Sequence, residues 1–200
     1  MAPTFRRSTV VAMPLVVRLA LITLILLPAA PHAQGAAARA RPVQVIAVNP
    51  FGLVFDYYYV EYERAFSTSS TGALSGSYWD ADKYRFISFD GRYRLYPSER
   101  APEGFSVSAT VGFSRVTNTE YDCGDLLDEI ACGPEADFRE TSGNAVTTGV
   151  QLDYTWLLGA NNRFALGMGL GAKRMHYLGD RPGDAPRLQP TLRFTIGRAF

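Results

Sequence analysis

The sequence LQPTLRFTIGRAF, residues 188–200, decides the fold, because apolar and polar side chains alternate along it up to the aromatic Phe200. Successive side chains of a β-strand point to opposite faces, so one face holds apolar residues such as Leu192 and Phe194 while the other holds polar residues such as Arg193. This period of two, ending on an aromatic residue, is typical of the wall of a transmembrane β-barrel, which contacts lipid outside and polar groups inside.

Seven further segments have the same strand-like pattern, and the clearest is 105–116, where Phe105, Val107 and Val111 alternate with small polar residues. We therefore predict an all-β fold, an eight-stranded antiparallel up-and-down transmembrane β-barrel. The strands are predicted at 44–55, 58–66, 73–79, 84–96, 105–116, 145–158, 163–177 and 188–200. Two girdles of interfacial aromatic residues are expected, one of Phe66, Trp156, Phe164 and Phe200, and one of Tyr57, Tyr58, Trp79, Phe113 and Tyr177. A soluble β-sandwich is the alternative, and it would bury every apolar face against a second sheet.

The amino-terminal region predicts export. Arg6, Arg7 and Arg18 precede an apolar run at 19–27 and a small-residue segment at 28–33, the pattern of a secretory signal peptide. We predict a signal peptide at 1–33, a linker at 34–42 and an outer-membrane barrel domain at 43–200; an uncleaved anchor is the alternative. The first 33 residues hold three of the 20 basic residues and none of the 19 acidic ones, so 17 basic residues remain against 19. That balance gives no indication of nucleic-acid binding.

The connection at 117–144 contains both cysteines, Cys123 and Cys132, and many carboxylates. We predict a disulfide between the cysteines, because an exported chain is exposed to oxidising conditions; a metal site would need further soft ligands. The carboxylates favour a solvated acidic tip, with a divalent cation or a surface partner as the alternative occupant. They are Glu120, Asp122, Asp125, Asp128, Glu129, Glu135, Asp137 and Glu140.

Four segments resemble a family of small bacterial outer-membrane β-barrels of unknown function, of the OmpA/OmpX-like eight-stranded type. They are NPFGL at 49–53, VEYERAF at 60–66, GRYRLY at 91–96 and GFSVSATVGF at 104–113. The resemblance implies an eight-stranded barrel in the cell outer membrane, and an assembly signal at Phe200 for the barrel-assembly machinery. It implies no catalytic residue and no cofactor.

Charged residues fall on the polar face of several strands. An Arg or Lys facing lipid near mid-membrane costs about 2–4 kcal/mol, so we expect the register that turns them into the lumen. This lumen charge network is predicted to contain Glu61, Glu63, Asp90, Arg92, Arg94, Asp153, Lys173 and Arg193. Eight strands leave an interior just wide enough for side chains, which favours a plug of ion pairs over an ion path.

These observations favour a structural or surface-interaction protein of the outer membrane, monomeric and surrounded by lipid. A narrow channel for small solutes and a lipid-modifying enzyme are the alternatives. For the enzyme, His176 is the one histidine left after the predicted cleavage, and alternation places it outward near a rim, away from inward-facing serines such as Ser114. We therefore predict no enzyme activity, no catalytic set, no cofactor and no metal site.

Overall fold

The chain forms eight β-strands and one short helix in a computed structural model that describes residues 43–81, 83–122 and 137–200. The elements are β1 Gln44–Val48, α1 Gly52–Phe55, β2 Tyr57–Ala65, β3 Ser70–Ala81, β4 Tyr84–Leu95, β5 Gly104–Asp122, β6 Asp137–Leu158, β7 Phe164–Tyr177 and β8 Leu188–Ala199. Among the described residues, no helix has the length and apolarity needed to cross a membrane. The predicted signal peptide, the linker and both cysteines lie outside the described residues.

Each strand pairs antiparallel with its sequence neighbours, and β8 pairs with β1, so the sheet closes into a barrel. The predicted fold class, an eight-stranded antiparallel up-and-down barrel, is confirmed, and two stacked sheets are excluded. We call the end of the barrel that holds Gln44 and Ala199 the lower end. The upper end holds the turn between β3 and β4.

The outer face carries an apolar belt. On β5, the outward residues from Phe105 to Phe113 are all apolar and exposed, and they alternate with small or polar residues that point inward. Eight residue steps of ~3.3 Å at a tilt of ~40° span roughly 20 Å along the barrel axis, close to the ~25 Å band of membrane barrels. Every strand contributes at least one exposed large apolar side chain, for example Ile46, Tyr62, Leu74, Phe89, Val107, Leu152, Leu170 and Leu192.

The first strand is shorter than predicted. The sequence pattern indicated a strand over 44–55, whereas β1 ends at Val48 and the chain turns into α1. Pro50 has no N–H to donate to a strand ladder, and the Oδ1 of Asn49 accepts the N–H of Phe51 at 2.8 Å, closing a turn. Asp56 then takes a left-handed conformation (φ 51°) that ends α1 and starts β2.

The third, fifth and sixth strands are longer than predicted. β3 covers Ser70–Ala81 rather than 73–79, and β5 and β6 continue into the predicted loop at 117–144 until Asp122 pairs with Asp137. The extension of β5 and β6 forms a two-stranded arm above the barrel. The extension has no apolar alternation in its sequence, so the sequence pattern ended each strand too early.

Three aromatic residues of the second predicted girdle, which also contains Tyr58 and Phe113, face the lumen instead of lipid. Tyr57, Trp79 and Tyr177 occupy odd-numbered positions of their strands, on the same face as the buried Glu61, Ser75 and Met175. Trp79 stacks on the buried Phe86 at 5.4 Å between ring centroids. At the lower end, Phe66, Trp156, Phe164 and Phe200 are outward and exposed.

Candidate functional site: the barrel interior

All eight residues of the predicted lumen charge network have their side chains inside the barrel. None of these side chains is more than 13% exposed, and four carboxylates face four cationic groups. Six of them, the lower cluster, form one connected set of ion pairs: Glu61, Glu63, Arg92, Arg94, Asp153 and Arg193. Asp90 and Lys173 form a separate pair nearer the upper end.

Glu61 is the centre of the lower cluster. Its carboxylate accepts hydrogen bonds from Arg92 at 2.6 Å, from Arg94 at 2.8 Å and from Arg193 at 2.7 Å. The hydroxyl of Tyr59 donates a fourth, at 2.5 Å. These groups come from three strands, β2, β4 and β8, so this one carboxylate ties together distant parts of the wall. Charge-assisted hydrogen bonds of this kind offset the desolvation cost of a buried carboxylate.

Arg94 connects the remaining carboxylates of the lower cluster. Its guanidinium, fully buried, hydrogen-bonds Glu63 and Glu61, and its Nε lies 3.6 Å from Asp153 Oδ2. Glu63 also accepts the hydroxyls of Thr71 at 2.6 Å and Tyr96 at 2.7 Å. Buried charges are tolerated when every lone pair finds a donor, and this carboxylate has three donors.

Neutral side chains outside the predicted charge network complete these bonds. The hydroxyls of Tyr59, Tyr96 and Thr71 serve Glu61 and Glu63, and the amide of Gln151 donates to Asp153 Oδ1 at 2.6 Å. Their inward position follows from alternation. Which carboxylate each one reaches depends on the stagger between strands, which the sequence pattern does not contain.

Three glycines of β7 make room for the lower cluster. A Cβ on Gly167 would meet Arg193 and Thr195, and a Cβ on Gly169 would collide with the carboxylate of Asp153. A Cβ on Gly171 would press on the backbone of Val150 and Gln151. The absence of side chains at these glycines therefore provides the space that Arg193 and Asp153 occupy.

Apolar residues close the interior above and below the charges. The lower layer contains Val45, Ala47, Ala165 and Ala199, with Leu157 packed against it. The upper layer contains Phe86, Val116, Ala145, Met175 and Ala185, with Trp79, Tyr84 and Tyr177 packed against it. Ala185 belongs to the connection between β7 and β8, which is held over the barrel by a hydrogen bond from Tyr177 Oη to the carbonyl of Pro186 at 3.1 Å.

Two cavities lie beside the upper part of the charge network. One of about 30 Å³ reaches Asp90, Arg92, Lys173 and Arg193, and one of about 270 Å³ lies between Lys173 and the aromatic residues Trp79 and Phe86. Both are also lined by Leu192, whose side chain is 77% exposed on the outer surface. The interior is thus filled in its lower part and partly open in its upper part.

The other residues considered in the sequence analysis lie away from the interior. His176 is exposed on the outer face near the upper end, where its Nε2 is 3.1 Å from the hydroxyl of Thr148. Ser114 points inward and hydrogen-bonds Ser88 at 2.6 Å, so it is not brought to His176. Glu140, on the arm, is 3.9 Å from Arg85. Cys123, Cys132 and the acidic residues between them lie outside the described residues.

No protein-family model and no curated protein matches the chain. Among solved structures, the N-terminal β-barrel domain of Pseudomonas aeruginosa OprF is similar to it. The two share 13% sequence identity with a TM-score of 0.46, over 80% of this chain and 98% of that one. The barrel assignment itself rests on the strand pairing described above.

Proposed function

We propose that the chain is an integral protein of the outer membrane, whose barrel anchors surface elements and neither conducts solutes nor catalyses a reaction. The observation that carries the proposal is the two-sided wall. Its outer face is an exposed apolar belt, while the lower cluster places three carboxylates and three guanidinium groups in the interior. In a water-soluble protein the belt would be an unusually large apolar surface exposed to water. In a membrane, the same belt contacts the hydrocarbon chains of the lipid, as the outer face of a transmembrane barrel must.

A filled interior supports anchoring over transport. Arg94 and Glu61 are at most 1% exposed, and they lie across the path that a solute would take between the lower and upper apolar layers. A conducting path would require breaking several charge-assisted hydrogen bonds at once, each of which holds a charge that is already out of water.

Three measurements test this proposal. The folded barrel should migrate faster than the heated chain on a detergent gel, and should be recovered from the outer-membrane fraction of cells. In planar bilayers it should show no discrete conductance steps. Heat-independent migration would overturn the membrane barrel, whereas discrete conductance steps of the folded protein would replace the anchor with a channel.

The surface element that we propose the barrel anchors is the arm of β5 and β6. The arm continues the paired ladder beyond Tyr84, the first residue of β4, which is opposite Asn118; it runs from Thr119 paired with Glu140 up to Asp122 paired with Asp137. The residues that follow are acidic, and we propose that a Cys123–Cys132 disulfide closes them and that they meet a surface partner or a divalent cation. Thiol labelling of the folded protein should occur only after reduction; labelling before reduction would exclude the disulfide.

A further inference from the structure

The wall of the barrel has a gap in its upper half, between β8 and β2. β1 pairs with β8 only from Val45 opposite Ala199 to Val48 opposite Ile196, although β8 continues upward to Leu188. On its other side, the last bond that joins the β1 segment to β2 is from the N–H of Asn49 to the carbonyl of Tyr59, at 3.1 Å. Above that level, β7 is the hydrogen-bonded neighbour of β8 among the residues that the structure describes.

The sequence of both edges is consistent with this gap. Pro50 ends β1, and Pro190 lies within the part of β8 that has no β1 partner. Proline has no N–H for a ladder and is found in strands at edges. A barrel wall that was sealed along β8 would have to accommodate Pro190 in a central strand, which the physics of the ladder disfavours.

The two cavities beside the charge network meet at this gap. They share the lining residues Tyr57, Ser77, Lys173, Thr191 and Leu192. Leu192 and Phe194 belong to the outer face of β8, whereas Lys173 points into the lumen, so the cavities extend from the lipid-facing surface to the charge network. Phe51 of the turn before α1 lies beside the gap, with its ring 5.0 Å from the ring of Phe194.

The chemistry along this path changes from apolar to cationic. Lys173 is the charged residue among those lining the larger cavity, and the smaller cavity adds Arg92 and Arg193 against the one carboxylate of Asp90. Arg193 Nη1 is buried and makes no hydrogen bond, because its ion-pair partner Asp153 Oδ1 is 3.7 Å away. The smaller cavity is therefore lined by three cationic residues against one carboxylate, which favours an anionic ligand.

We propose that the gap is the entrance of a binding site for a single-chain amphiphile with an anionic head group, taken from the surrounding membrane. The head group, a carboxylate or phosphate, binds Lys173 in competition with Asp90, and the chain leaves through the gap beside Leu192. The larger cavity, of about 270 Å³, accommodates a head group and a few methylene groups. This inference rests on the membrane location proposed above.

The test uses the two tryptophans of the chain, because Trp79 lines the larger cavity while Trp156 lies on the outer face at the lower end. The full chain is reconstituted in phosphatidylcholine vesicles as Trp156→Phe and as Trp79→Phe, and 12-bromododecanoate is added as a quencher. We expect saturable quenching of Trp79 and only gradual, non-saturating quenching of Trp156. The uncharged 12-bromododecan-1-ol should bind Trp79-containing protein at least about tenfold more weakly.

Two substitutions should shift the apparent Kd in opposite directions. Lys173→Gln removes the cation that binds the head group and should raise Kd about tenfold or more, whereas Asp90→Asn removes its competitor and should lower Kd. General distortion of the site would weaken binding in both variants. Asp80→Asn and Arg85→Gln, which alter an exposed ion pair on the outer face, serve as matched controls and should leave Kd unchanged.

Either of two results would overturn the site: no saturable quenching of Trp79, or equal binding of the acid and the alcohol. The heat-modifiable gel shift is recorded on the same samples. If the shift is present and quenching is absent, the binding site fails and the membrane barrel stands. If the shift itself is absent, the membrane barrel fails.

Discussion

The lower and upper halves of the lumen differ in how their charges are held. In the lower half, Glu61 is surrounded by three guanidinium groups and a phenol, and the wall around it is closed by the pairing of β1 with β8. In the upper half, Asp90 has Lys173 and a 3.3 Å hydrogen bond from Thr147, beside a cavity and a gap in the wall.

One small barrel can therefore combine a rigid part and an accessible part without a separate domain. Where the wall is closed, each charge is fully desolvated and depends on its partners. Where the wall is open, water or a ligand can replace one partner of an ion pair. An ion pair there contributes less to the free energy of unfolding, and its charged groups are available to bind a ligand. Four substitutions test this contrast.

The largest effect is expected for Glu61→Gln in the lower half. The substitution keeps the shape of the side chain but leaves Arg92, Arg94 and Arg193 with too few anions, so the free energy of unfolding should fall by about 3–5 kcal/mol. Urea unfolding of vesicle-reconstituted protein measures this. The control, Asp80→Asn, breaks an exposed ion pair and should cost about 1 kcal/mol or less. Equal effects of the two would contradict a tightly held lower half.

A smaller loss of stability is expected for Gly169→Ala. The added methyl group would collide with the Asp153 carboxylate, which Gln151 holds in place, and overpacking of this kind costs about 1–3 kcal/mol. The same urea experiment applies, with Gly76→Ala as the matched control. A Cβ on Gly76 would meet only Val60, at an ordinary 3.9 Å, so this variant should be as stable as the wild type within about 0.5 kcal/mol. A neutral Gly169→Ala would show that the lower cluster can rearrange.

Lys173→Gln tests the upper half and should lower the free energy of unfolding by about 1–2 kcal/mol, less than Glu61→Gln, because water in the cavity can solvate Asp90. The double variant Asp90→Asn, Lys173→Gln removes both charges and should recover most of the loss, which a double-mutant cycle in urea measures. If Lys173→Gln costs as much as Glu61→Gln, the proposed contrast between the halves is wrong.

Part of the interior could be predicted from the sequence because two requirements agree there. On the segment from Asp90 to Tyr96, alternation gives one face with Asp90, Arg92 and Arg94, and lipid cannot accept that face cheaply. The inward position of these residues follows without knowledge of the neighbouring strands. Their specific partners do not, because Arg94 meets Glu61, Glu63 and Asp153 only at one stagger of the closed barrel.

The gap in the wall could not be predicted from hydrophobic pattern. The apolar residues Phe51, Val54 and Phe55 suggested a continued strand, but they occupy a turn and a helix whose side chains remain exposed. Pro50 and Gly52 were the available signals against a strand, since both interrupt regular structure. The arm of β5 and β6 was missed for the opposite reason, because residues 117–122 and 137–144 have no apolar period to recognise.

The smallest effect is expected for His176→Ala, because His176 lies on the outer face, outside both halves of the lumen. Its imidazole is exposed and contacts the Thr148 hydroxyl at 3.1 Å, so its removal should change the free energy of unfolding by no more than about 0.5 kcal/mol. Phospholipid and lipid A turnover in cells should also be unchanged, because the inward Ser114 cannot reach an outward histidine to form a nucleophile–base pair. A drop in turnover with unchanged stability and heat-modifiable migration would move the function from the lumen to the outer rim, and would revive the lipid-modifying enzyme. Loss of stability as large as that of Lys173→Gln would instead mean that the outer rim contributes to holding the upper half together.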